Sequence, residues 1–265
     1  MNERLKQYIE KDFDVKKVSD GLVEWINEWF ATNGPESVAV VGLSGGKDST
    51  LVATACVKAL GKDRVFGVLM PDHAQADIDV SRDVAKWLGI RHAIVNVGAA
   101  TDGIKSGIAE AEMHSGDGEV IEDRLNQTPQ MLTNIAPRIR MTTQYAVAAT
   151  MNGRVSNNSN RSERYVGYST VFGDGVGDFS PISNLTVTEV IAVGEYLGIP
   201  DRFIRKAPSD GLTGKTDEDN FGFTYEQLDT YILTGACDDN EIKAKIDRRH
   251  VINEFKTKPM PAYMP

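Results

Sequence analysis

Apolar residues Val18, Leu22, Trp25, Ile26 and Trp29 recur at intervals of three and four. That spacing predicts an amphipathic helix whose apolar stripe includes both tryptophans and which Gly34-Pro35 ends. The run from Ser37 to Leu43 is apolar on both parities, the pattern of a strand covered on both faces of a parallel sheet. A helix from Ser49 to Leu60 follows, stopped by Gly61, and then a strand from Val65 to Met70, ended by Pro71. A helix from Ile78 to Leu88 and a strand from Ala93 to Val97 continue the alternation. Strands and helices alternating over short links predict an α/β fold: a doubly wound, Rossmann-like parallel sheet with helices on both faces.

The periodicity then weakens. A helix is expected near Ile104–Met113, followed by a mobile loop at Ser115–Glu119. Pro137 suits the first turn of a long helix reaching about Met151. Val155-Ser156 reads as a short strand, and Asn157–Ser183, rich in Gly, Asn, Ser and Asp, reads as a long loop, either functional or disordered. Helices resume at Val187–Leu197, at Tyr225–Leu233 behind a Thr224–Gln227 capping box, and at Asn240–Phe255. No repeat or linker divides residues 1–265, so a single domain is expected.

Composition narrows the function. Net charge is -9, and no dense Lys/Arg run is present to displace counterions, which argues against a nucleic-acid partner. Cys56 and Cys237 are isolated thiols that form no metal knuckle or redox pair, consistent with a reducing compartment. No window approaches a membrane span, and the expected location is the cytoplasm.

The chemistry is concentrated in Gly42-Leu43-Ser44-Gly45-Gly46-Lys47-Asp48-Ser49. A buried strand enters a glycine turn that admits positive φ, and a helix begins at once, aiming its first amides and dipole at the turn. Ser44 and Ser49 add hydroxyls, Lys47 a cation, and Asp48 a hard ligand for Mg²⁺. A Walker A loop would need glycine at Val41 and a hydroxyl at Asp48, so transfer of the γ-phosphoryl group is disfavoured.

Ser-Gly-Gly-x-Asp-Ser resembles the N-type ATP pyrophosphatases. The resemblance sharpens to the ammonia-dependent NAD synthetases through Pro137-Arg138-Ile139-Arg140-Met141, Asn160-Arg161-Ser162-Glu163 and Phe172-Gly173-Asp174-Gly175. Asp178-Phe179-Ser180-Pro181-Ile182 and Lys206-Ala207-Pro208-Ser209-Asp210-Gly211-Leu212 extend it. Paired cysteines of thiolation branches and an attached glutaminase are both missing from these 265 residues.

The resemblance implies an adenine nucleotide alpha hydrolase-like fold and a homodimer. It also implies a reaction joining deamido-NAD and ammonia at the expense of ATP, with Mg²⁺ as cofactor. By resemblance ATP lies against the residues from Gly42 to Ser49, with Asn158 and Ser209, and more weakly Gln75. Mg²⁺ would rest on Asp48 and Glu163. Deamido-NAD would meet Arg138, Asp178 and Lys256, and Asp178 is the candidate base for ammonium.

The chain departs from the family's pattern at several positions. Asn157-Asn158 stands where Gly-Thr is expected, Val171 and Val187 where lysines are expected, and Phe255 where a histidine is expected. Each lost charge-assisted contact is typically worth about 1.5–3 kcal/mol. Lys47, Arg161, Arg164 and Lys215 are the candidate replacements. The departures keep two rivals in view, a related ligase with a different acceptor and a non-catalytic ATP sensor.

Overall fold

A computed structural model describes residues 1–75, 78–206 and 216–264. The N-terminal helix α1 (Glu3–Lys11) carries too short an apolar pattern to be read from the sequence. It precedes α2 (Val15–Asn33), which Asp14 caps through the Lys17 amide. The core stripe of α2 runs through Leu22, Ile26 and Phe30 rather than through Trp25, which is 41% exposed. Trp29, on the shoulder of the stripe, stacks on Phe179 with ring centroids 5.1 Å apart.

Strand β1 (Val38–Gly42), α3 (Lys47–Leu60), β2 (Val65–Leu69), α4 (Ile78–Leu88) and β3 (Arg91–Ile94) follow the expected alternation. Strand β3 begins two residues early, but the Val95 and Val97 amides still donate to the carbonyls of Leu69 and Pro71. Beyond it, α5 (Gly98–Ala109) starts six residues ahead of the expected helix. The Ser115–Glu119 stretch closes a hairpin between β4 (Met113–His114) and β5 (Val120–Ile121), with Gly118 at φ 91° and the Ser115 amide bonded to the Glu119 carbonyl.

Pro137 lies inside α6 (Pro129–Ala149) instead of starting it. The start belongs to Pro129, behind an N-cap on Thr128, where a missing amide loses nothing. The last sheet strand is β6 (Gly153–Val155). A short helix, α7 (Arg161–Val166), interrupts the stretch expected to be irregular. Then come α8 (Val187–Tyr196), α9 (Asp201–Ile204), α10 (Asp217–Phe221), α11 (Tyr225–Thr234) and α12 (Asn240–Asn253).

The sheet is parallel in the order β3-β2-β1-β6. Alternation along β1 sends Ala39 and Val41 to one face, where α2, α3, α4 and α8 build the main core. Val40 goes to the other face, against Ala148 of α6 and Val155. A smaller third cluster, centred on Phe221, Leu228 and Ile246, joins the C-terminal helices to α7. Because the chain leaves β1 toward β2 on one side while β6 flanks it on the other, β1 marks the switch point of the sheet, where doubly wound folds bind ligands.

Candidate functional site

At the carboxyl end of β1 the chain turns through Gly45, at φ 75°. A side chain there would meet the Ser81 backbone nitrogen at 3.0 Å, so glycine is required twice over. Three hydroxyls brace the turn. Ser44 Oγ accepts from the Gly46 amide at 3.2 Å and lies 3.1 Å from Ser49 Oγ, which donates to the Gly46 carbonyl at 3.2 Å. Thr50 Oγ1 donates to the same carbonyl at 2.8 Å. No side chain caps α3, so the first amides of a 14-residue helix face the loop.

Lys47 is only 8% exposed, and its Nζ lies 3.0 Å from Asp48 Oδ2. The same ammonium sits 5.4 Å from the ring centroid of Tyr225. Burial works against its charge, but Asp48, Glu163 and Asp217 outweigh burial and raise its pKa above the usual lysine value.

Asn160, fully buried, connects this loop to α7. Its Nδ2 donates to Asp48 Oδ1 at 3.1 Å, while its Oδ1 accepts from the Glu163 amide at 2.9 Å. Glu163 Oε2 accepts from the Asn160 amide in return, closing a capping box. Burial, and then the charge on Asp48, push the Glu163 carboxyl well above the usual carboxylate range, against the pull of Lys47. Asp48 and Glu163 are thus near enough for one charge to act on the other, and their hard oxygens suit Mg²⁺. Among the described residues no three His, Cys, Asp or Glu side chains converge as a metal cage.

The other expected residues are arranged differently. Asn158 tethers the loop after β6 to β1, donating to the Gly42 carbonyl at 3.0 Å. Asp178 Oδ2 accepts from the Val155 amide at 2.7 Å and Oδ1 from the Tyr145 hydroxyl at 3.3 Å. It borders an open cleft of about 480 Å³ with Trp25, Trp29, Asn157 and Arg164. Arg138 donates to the Val171 carbonyl at 3.2 Å, whereas Arg140, two residues on, reaches the Met70 carbonyl at 3.0 Å. Lys256 donates to the carbonyls of Gly167 and Ser169 at 2.8 and 3.1 Å. Arg138 and Lys256 therefore grip the 167–171 segment, apart from the glycine loop. Ser209 and Lys215 lie outside the described residues, and Gln75 sits in the turn after β2.

Among the candidate replacement cations, Lys47 lies within the carboxylate cluster. Arg164 borders the cleft, and the charge of Arg161 acts on Tyr8 and Tyr165. Val187 is packed in the C-terminal core. Three residues were not anticipated. Asn160 was legible as the first residue of the Asn160–Glu163 capping box. Asp217 and Tyr225, whose hydroxyl donates to Asp217 at 2.9 Å, carry no local signal.

Known proteins share this fold and much of this sequence. The NH3-dependent NAD+ synthetase of Pyrococcus furiosus is 40% identical over 241 residues, 91% of this chain and 84% of the relative. Among solved structures, the NMN synthetase of Francisella tularensis superposes with a TM-score of 0.82 at 30% identity, covering 96% of this chain and 99% of that one. The NH3-dependent NAD synthetase of Campylobacter jejuni gives a TM-score of 0.73 at 30% identity, covering 96% and 100%. The family model described as NAD synthase matches residues 18–260, and with the glycine loop and its carboxylates standing at the switch point of the sheet, the chain belongs to the NAD synthase family.

Proposed function

We propose that this chain forms NAD from deamido-NAD, ammonia and ATP through an adenylated intermediate, releasing AMP and pyrophosphate. The observation that carries the reading is the Asn160 bridge. It holds Asp48 and Glu163 together beside a braced glycine loop, in a chain 40% identical to an NAD synthetase along most of its length.

The α3 amides and the Ser44 and Ser49 hydroxyls would hold the β and γ phosphates, leaving the α phosphorus open to the nicotinate carboxylate. The carboxylate oxygen bonds to that phosphorus as the bond to the bridging oxygen of pyrophosphate breaks. Ammonia then attacks the acyl carbon, and AMP leaves with the carboxylate oxygen. Asp48 and Glu163 would hold Mg²⁺, which when bound neutralises charge growing on the departing pyrophosphate. Asp178, already facing the cleft, is the candidate acceptor for a proton from ammonium. No protein nucleophile is required, since positioning supplies the rest. A homodimer is supported by large apolar side chains exposed on α5, the hairpin and the start of α6: Ile104, Val120, Ile121 and Leu132.

A second acceptor is favoured by one observation: the TM-score is higher to the NMN synthetase than to the NAD synthetase at equal identity. Nicotinate mononucleotide presents the same carboxylate without the adenylate half. AMP release with ammonia and MgATP, measured separately with deamido-NAD and with nicotinate mononucleotide, tests both. Turnover with deamido-NAD supports the first reading, turnover confined to the mononucleotide replaces it with the second, and ATP binding without AMP from either overturns both.

A further inference from the structure

The least expected feature of the site is a buried ammonium lodged against the carboxylate of Asp48, within electrostatic reach of Glu163 and Asp217. Lys47 Nζ occupies Asp48 Oδ2 at 3.0 Å, while Asn160 occupies Oδ1. Glu163 and Asp217 add their charges to the same ammonium. The Tyr225 ring lies alongside, fixed by the bond from its hydroxyl to Asp217. An ammonium flanked by an aromatic face and acids on several sides is well held, and it leaves neither oxygen of Asp48 unpaired.

We infer that Lys47 is an internal counter-ion that holds the metal position closed and gives it up when polyphosphate arrives. The inference rests on the reading that Asp48 and Glu163 hold the metal. A free divalent cation approaching Asp48 meets the positive charge of Lys47 in a poorly screened setting, so it binds weakly. ATP carries its own negative charge into the loop, and Lys47 can leave Asp48 Oδ2 for a phosphate oxygen. That exchange frees the carboxylate, so metal and nucleotide bind with positive coupling. The same lysine closes the site in one state and grips phosphate in the other.

Manganese(II) serves as the probe, with free ion measured by electron paramagnetic resonance on the full chain without nucleotide. Lys47→Met is expected to bind Mn²⁺ at least tenfold more tightly than wild type, whereas Lys47→Arg, which keeps the charge, should bind as wild type does. Adding Glu163→Gln to Lys47→Met should remove the gained site. Lys47→Gln takes the place of Lys47→Met if the methionine variant does not fold, as judged by circular dichroism. If neither neutral variant binds Mn²⁺ more tightly, the counter-ion role is overturned. In that case, wild type with α,β-methylene-ATP still taking up Mn²⁺ that Glu163→Gln loses would leave the metal reading standing. If Glu163→Gln changes Mn²⁺ uptake in neither state, the metal reading fails and this inference with it.

Discussion

Asn160 serves a helix end and a ligand site with one side chain, since its two heads point to Glu163 and Asp48. Asn160→Ala should therefore lower stability by about 1 kcal/mol through the lost cap. It should also raise the KM for MgATP, because Asp48 is no longer oriented; thermal melts and steady-state kinetics check the two effects separately. Gly45→Ala forces a side chain onto positive φ and against Ser81, so a lower melting temperature and at least tenfold weaker ATP binding are expected, read by calorimetry. Glu163 carries a pH signature. Its raised pKa means that the folded protein binds this proton more tightly than the unfolded chain does, so stability falls as pH rises through that value. Glu163→Gln should abolish this loss and be the more stable protein at alkaline pH, as chemical denaturation at several pH values will show.

Between elements, Asp229 acts as a buckle. From α11 it accepts from Ser162 Oγ on α7, and from the Thr188 amide and hydroxyl, both at 2.7 Å, in the first turn of α8. Ser162 Oγ in turn accepts from the Val187 amide at 3.0 Å. Three helices thus meet at a fully buried carboxyl, and burial outweighs the donors to push its pKa from 3.8 up to about 6. Because the folded value is the higher one, the stabilising contribution is complete below pH 3.8 and is lost as pH rises through about 6. Relative to Asp229→Asn, wild type should lose about 3 kcal/mol between pH 4 and 7, in order of magnitude, measured by urea denaturation. Since α7 carries Glu163, this buckle also sets the angle from which that carboxylate enters the site.

Across the whole molecule, two separately built parts supply the site. The sheet and its covering helices present the glycine loop, while the C-terminal cluster around Leu228 carries α7 and Tyr225 to it. Leu228→Ala, deep in that second cluster, should cost about 2–5 kcal/mol. It should also raise the Mg²⁺ concentration needed for half-maximal activity, although Leu228 itself belongs to the packing. Thermal melts combined with Mg²⁺ titrations test that link. Among the described residues no helix is long and apolar enough to cross a membrane.

Local patterns in the sequence were enough for the parallel sheet and the glycine loop, because an apolar run ending in Gly-Gly before a helix is constrained within a dozen residues. The same locality explains the misplacements. Trp25 matched the spacing of the α2 stripe yet lies outside the packed seam, because Phe30 and not Trp25 meets the core. The pull of Pro137 toward a helix start was overridden by packing along α6, and α7 was too short to show periodicity. Tertiary structure alone decided how the loop's charges are balanced. Asp217 and Tyr225 approach Lys47 from distant segments, and Asn160 ties Asp48 at the start of α3 to Glu163 on α7. A residue's neighbours along the chain determine its backbone conformation and its chemical potential for a role. Which charges surround it once water is excluded depends on segments that only the folded chain brings together.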